Sequence, residues 1–214
     1  MWEDDRVRDL NKLPKAHLHL HFTGSMRVST LEDMAQEQHI KLPEALTDNV
    51  ALQVPADQRG WFRFQRAYDA ARKVVRSEDT MRRIISEAAE DDAREGSRRL
   101  EIQIDPTSYA PFVGGITPAL EIVLDEARRA TEATGVEVGV VVAASRIRHP
   151  LEARTLARLA AQYAGHCPGW VVASDYQTMS GAASRPNGAP LSTSLGGPGY
   201  PQCPTVASYS APNM

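Results

Sequence analysis

A chain of 214 residues, 42% of them hydrophobic, with a formal charge of −3, is long enough to bury a core and sets up no field that would attract nucleic acid. It has no basic run and no apolar stretch near the roughly 20 residues that span a bilayer, which argues against a nonspecific nucleic-acid binder and a helical membrane protein. The opening Met-Trp-Glu-Asp-Asp-Arg has nothing of a secretion signal, so a cytoplasmic location is expected.

Charge is not spread evenly. Beyond residue 165 only Asp175 and Arg185 are charged, Gly, Pro and Ser crowd the segment, and both cysteines, Cys167 and Cys203, fall there. Such a stretch lacks the periodic apolar residues a core needs, so a folded body over 1–165 and a disordered, low-complexity tail over 166–214 are expected. Two cysteines in that setting imply neither a disulfide framework nor a thiolate site, which leaves His, Asp and Glu to hold any metal.

The first element is the run Lys15-Ala-His-Leu-His-Leu-His-Phe-Thr-Gly24. Read as a regular strand, it puts His17, His19 and His21 on one face and Leu18, Leu20 and Phe22 on the other. One face can then bind a metal while the other packs on helices, since imidazoles at i and i+2 supply adjacent corners of a coordination sphere. Ser29-Thr-Leu-Glu32 has capping-box spacing, and Leu31, Met34, Ala35 and Gln38 continue it as a helix. Pro43 to Gly60 reads as a polar connection. Phe62, Phe64, Tyr68, Ala71, Val74 and Val75 then mark one stripe of a basic helix ending near Arg76.

Ser77 starts the next helix, whose core face carries Met81, Ile84, Ile85 and Ala88 and which Gly96 ends. Leu100 to Asp105 alternates with period two, placing Leu100, Ile102 and Ile104 on one side and Glu101, Gln103 and Asp105 on the other. Thr117-Pro118 opens a helix through Leu120, Ile122, Val123 and Ala127 to Gly135. The continuous apolar run Val136 to Ala144 reads as a buried parallel strand, and Pro150 opens a last helix through Leu156, Leu159 and Ala160. Strands alternating with helices predict an α/β fold built of parallel βα units. Polar residues on the inner face favour a partial (β/α)8 TIM barrel of three units, with its chemistry at the C-terminal strand ends, where His19, His21, Gln103 and Asp105 fall.

Pro14, Lys15, Leu18, His19, His21 and Gly24 resemble the first strand of the adenosine deaminase family of zinc-dependent hydrolases, which reads Pro-Lys, two residues, Leu-His-x-His-Leu-(Asp/Glu)-Gly. Phe64-x-x-x-Tyr68-Asp69 is similar to the family's lid helix, Leu100-Glu101 to its second strand and Ser145-Arg146 to the end of its third. The resemblance implies that His19 and His21 are Zn2+ ligands and that His17 is not. It also implies that His21, Thr23, Phe64 and Tyr68 border a purine nucleoside, and that the reaction is hydrolytic deamination of adenosine to inosine. Thr23 stands where the family has an acidic residue that bonds the sugar, and Gln103 where it commonly has Arg.

The family's later residues, a third His, an Asp and the acid of a His-Ala-Gly-Glu motif, have no counterpart here. His39 and His149 sit near helix boundaries and His166 in the tail. Two ligands make no catalytic zinc site, so no catalytic residue is assigned and this chain is expected to be inactive.

A shifted reading frame accounts for the loss. Read one base earlier, with permitted third bases, the codons of Ser174 to Ala183 give Gly-Leu-Ser-Asn-Asp-Glu-Arg-Arg-Gly, like the family's fourth strand. In the same frame Pro204 to Pro212 gives His-Gly-Gly-Glu-Leu-Leu-Gly-Pro, close to the missing motif. The expected frameshift lies near residues 165–172. The alternatives are an amidohydrolase acting on another aminated purine, suggested by Thr23, and a noncatalytic protein that binds a partner through the half-barrel and tail.

Overall fold

The computed structural model describes residue 9 and residues 13–46, 58–145, 148–164 and 173–177. Their centre is one parallel sheet in the order β1-β2-β3-β4, formed by Lys15–His21, Ser97–Ile104, Glu137–Ser145 and Ala173–Gln177. Sequential order in a parallel sheet requires a crossover between each pair of strands. Those crossovers hold α1 (Val28–Glu37), α2 (Gln58–Arg72) and α3 (Glu78–Arg94) before β2, then the short α4 (Ala110–Val113) and α5 (Ile116–Thr134) before β3, and α6 (Pro150–Tyr163) before β4. This is a segment of a (β/α)8 barrel, α/β in class as the alternation predicts.

The core lies between sheet and helices. Leu100, Ile102 and Ile104 of β2 and Val138, Val140 and Val142 of β3 are almost fully buried, packed in one cluster with Met81, Ile84 and Ile85 of α3 and Leu120 and Val123 of α5. Charged groups tie the helices over this layer. Glu87 of α3 is buried, accepts from Thr30 Oγ1 of α1 at 2.5 Å and pairs with Arg83 Nε at 2.8 Å. Arg82 of α3 reaches Asp125 at 2.6 Å and Glu126 at 3.1 Å on α5. Burial opposes the charge on Arg82, but hydrogen bonds to Glu78, Asp125 and Glu126 outweigh it and hold the guanidinium above its ordinary pKa.

Helix ends follow local chemistry in most places. Ser77 caps α3 by accepting from Thr80 N–H at 3.2 Å, and Gly135 ends α5 at φ 73°. His149 caps α6, its ring accepting from Leu151 N–H at 3.2 Å with Pro150 in the first turn. His39 closes α1 at φ 53°, with Ile40 N–H donating back to Ala35 O at 2.8 Å, as in a Schellman ending. The capping box at Ser29 does not form. Helix α1 begins one residue earlier, at Val28, with Arg27 at its N-cap, so Ser29 already lies within the helix. Arg27 instead bonds Asp91 on α3 through its Nε and Nη2.

Strand β2 starts three residues before the predicted Leu100. Strand β4 falls inside the segment whose composition predicts a tail, pairing in register from Val141↔Ala173 to Ser145↔Gln177. The remainder of 166–214 lies outside the described residues, as do Arg146, His166, Cys167, Cys203 and the middle of the 43–60 connection. Among the described residues no helix is long and apolar enough to cross a membrane.

Two expectations test this account. Ile84→Ala, at a fully buried position, should cost about 2–5 kcal/mol in a urea titration. Hydrogen bonds from Arg82 and Arg128 hold the Asp125 carboxyl below its ordinary pKa, so its stabilisation is complete above the unfolded value and is lost as pH falls. Asp125→Asn should therefore destabilise by about 1 kcal/mol or less near neutrality. The gap to the unmodified chain should close below about pH 4, where the unfolded carboxyl also protonates.

Candidate metal centre

The histidine run does not form a regular strand. From Lys15↔Ser97 the pairing steps to Ala16↔Arg99, so β2 gains a residue; from His17↔Leu100 it steps to Leu20↔Ile102, so β1 gains one in return. Parallel neighbours in register share a face, so His17 goes with the core residue Leu100, whereas His21 goes with Gln103 on the opposite, inner face. The expectation that His17, His19 and His21 share one face is thereby corrected. His17 turns to the helix layer, where its Nδ1–H donates to Asp92 of α3 at 2.9 Å. Leu18, expected on the apolar face, is expelled and 58% exposed, while Leu20 and Phe22 do pack on the core.

The extra residue in β1 is accommodated at His19, whose φ of 65° lies in the left-handed region. A non-glycine residue there stores on the order of 1–3 kcal/mol of strain, a cost that recurs at ligand-holding sites. Beyond it, His19 and His21 bring their rings to a centroid separation of 5.1 Å at 73°. Two imidazoles on one tetrahedral cation, with metal–nitrogen bonds of about 2.0–2.1 Å, place their centroids about 5 Å apart, so this spacing fits a shared metal. The two rings would fill two of its corners. No group of three His, Cys, Asp or Glu suited to a metal occurs among the described residues.

Helix α2 covers the pair. Tyr68 meets the His21 ring edge-on at 6.3 Å, Phe64 follows one turn away at 6.1 Å from Tyr68, and the Arg72 guanidinium lies over the Tyr68 ring, 5.0 Å from its centroid. Tyr68 thus stands beside His21, and Phe64 beside Tyr68. Phe64 remains 43% exposed. A Cβ on Gly24 would meet the His21 Cβ and the Tyr68 ring each at 3.7 Å, an ordinary contact, so Gly24 lies between the base of one side chain and the ring of the other.

Thr23 is 2% exposed, and its hydroxyl lies 2.6 Å from the Tyr109 phenol, which is itself buried and packed edge-on against Phe22 at 5.2 Å. Burial raises the Tyr109 pKa well above its ordinary value, so the phenol stays neutral across the physiological range. Tyr109 carries no motif signal; its role follows from a partner 86 residues away.

Gln103 completes the inner face. It is 3% exposed, and neither the oxygen nor the nitrogen of its carboxamide has a hydrogen-bond partner. An amide buried unpaired costs about 1–3 kcal/mol. Asp105, at the end of β2, accepts from Thr107 N–H at 3.0 Å and from its hydroxyl at 2.6 Å, shaping the turn that leads to Tyr109.

Comparison with known proteins gives the family of the chain. The adenosine deaminase family model matches residues 14–182. A Streptomyces virginiae protein provisionally described as an adenosine/adenine deaminase is 58% identical over 161 residues, covering 75% of this chain and 48% of that protein. A Streptomyces coelicolor protein of the same description is 55% identical over 165 residues, with the same coverage. Among solved structures, an amidohydrolase from Burkhoderia ambifaria with bound Zn superposes at TM-score 0.62 and 22% identity, over 79% of this chain and 46% of that one. Adenine deaminase from Arthrobacter aurescens superposes at 0.58 and 23%, over 70% and 46%. The chain spans about half the length of the curated relatives it matches, and over that span it belongs to the adenosine deaminase family.

Proposed function

We propose that this chain carries the first part of a zinc-dependent deaminase of aminated purines, with His19 and His21 as two of the metal ligands. The spacing of the two imidazoles beneath the α2 aromatics, in a chain of this family, carries the reading. Bound zinc supplies hydroxide near neutral pH by lowering the pKa of a water. The residues of this chain supply the rest of the near wall. Phe64 and Tyr68 would offer aromatic faces to a purine, and His21, edge-on to Tyr68, would hold the cation. Further ligands and the general acid would come from outside the described residues, through the shift of reading frame near residues 165–172. Read in the shifted frame, the chain would gain these groups and with them the deamination.

A second reading concerns the substrate. Thr23 stands at an acidic position of the family and its hydroxyl is engaged by Tyr109, so no carboxylate is available there to bond a sugar hydroxyl. This favours an aminated purine other than adenosine.

Three measurements bear on these readings. Titration of the metal-free chain with Zn2+ should show one weak site that His21→Ala abolishes; unchanged affinity in that variant would refute the ligand assignment. Sequencing the DNA across residues 160–175, and expressing the frame one base earlier, should restore deamination, and a panel of adenosine, adenine and substituted aminopurines ranks the substrates. Tyr109→Phe should cost about 1–3 kcal/mol by leaving the buried Thr23 hydroxyl unpaired, and Thr23→Val in the same background should recover much of it.

A further inference from the structure

We infer that Gln103 is a positioning residue of the metal site, its carboxamide oxygen accepting the ring N–H of His21 when the other ring nitrogen binds a divalent cation. The inference rests on the zinc reading of His19 and His21 and adds a residue to it. Three observations carry it. Gln103 is the register partner of His21, so the two side chains leave adjacent parallel strands on one face, about 4.8 Å apart at the backbone. Its neighbours Ile102 and Ile104 point the other way, into the core, which leaves the carboxamide aimed at the inner face. It is almost completely buried there, with both polar atoms unpartnered.

A polar side chain in that condition is retained at a cost unless something satisfies it in another state. A neutral imidazole that gives one nitrogen to a metal presents an N–H at the other, and that N–H needs an acceptor to fix the tautomer and ring orientation. An amide oxygen meets this need without adding charge beside the cation. The hydroxyl of Thr23 is held by Tyr109, and the Asp105 carboxylate is turned into its own loop, so neither competes for the role.

The test uses the full 214-residue chain, stripped of metal and titrated with Zn2+ by calorimetry, with Co2+ absorption as a spectroscopic check. Gln103→Leu should weaken Zn2+ binding by about 10–100-fold. Its metal-free denaturation midpoint should hold or rise, because an apolar isostere removes the unpartnered amide. Gln103→Glu, which keeps an acceptor, should stay within a few-fold of the unmodified affinity. In nitrogen-correlated NMR the His21 ring should show a single tautomer in the Zn2+ form of the unmodified chain and a mixture in Gln103→Leu. Equal Zn2+ affinity and an unchanged tautomer in Gln103→Leu would overturn the inference. If that variant does not fold, Gln103→Asn, one methylene shorter, decides on the same two readouts. Should His21→Ala leave Zn2+ binding untouched, the zinc reading fails instead, whatever the Gln103 variants do.

Discussion

Two opposite irregularities between β1 and β2 decide what each residue of the histidine run can do. One residue is gained in β2 before Arg99 and one in β1 before Leu20, and because they cancel, Lys15↔Ser97 and His21↔Gln103 both keep the register of an unbroken ladder. Only the residues between are turned over. Without the gain in β1, His17 would face the inner side; with it, His17 enters the helix layer and ties β1 to Asp92 of α3. The bulge thus divides three chemically identical side chains into one that anchors the strand and two that stand together at its C-terminal end. Bulges re-aim side chains in this way near functional sites, and the positive φ at His19 is where the strain is held.

The helix layer keeps that arrangement in place. Strand β1 is the edge of the described sheet, and edge strands hold their register poorly unless something covers them. Here α3 grips its first half through the Asp92–His17 bond and through the Glu95 carbonyl, which accepts from Lys15 Nζ at 2.7 Å. Helix α2 closes over its last residues through Tyr68, and the turn after it is fixed by Phe22 N–H donating to Gln103 O at 2.9 Å. Since α3 is locked to α1 by Glu87 and to α5 by Arg82, displacement of β1 would strain a network that joins four elements, β1, α3, α1 and α5.

Much of this was legible in the chain because the relevant signals are local. The alternation at Leu100 to Ile104, the Ser77 cap, the Gly135 stop and Pro150 in a first turn each depend on a few consecutive residues, and each appears where the spacing places it. The His19–His21 pair was legible as a motif for the same reason. The face taken by His17 was not, because a bulge belongs to the pairing of two strands and leaves no mark on one of them. Nor was the Thr23–Tyr109 bond, which joins residues far apart in sequence, or the start of α1 from an N-cap at Arg27 rather than Ser29. There a guanidinium reaching the acidic face of α3 outweighs a weak local cap. Strand β4 was hidden by its composition, since ladder hydrogen bonds are made by the main chain and need no apolar periodicity.

Stability and chemistry are consequently separated across the thickness of one sheet. The apolar side is filled from β2, β3 and the helices, and the free energy of the body resides in that layer. The opposite side carries His21 and Gln103 on neighbouring strands, with a buried amide whose unpaired state works against folding. Adjacent residues of β2 therefore do different work: Ile102 packs a core, whereas Gln103 presents an unpartnered amide to the inner face. A polar inner face on a well-packed apolar backing is what a barrel needs in order to place chemistry at its strand ends without loosening the layer that holds them.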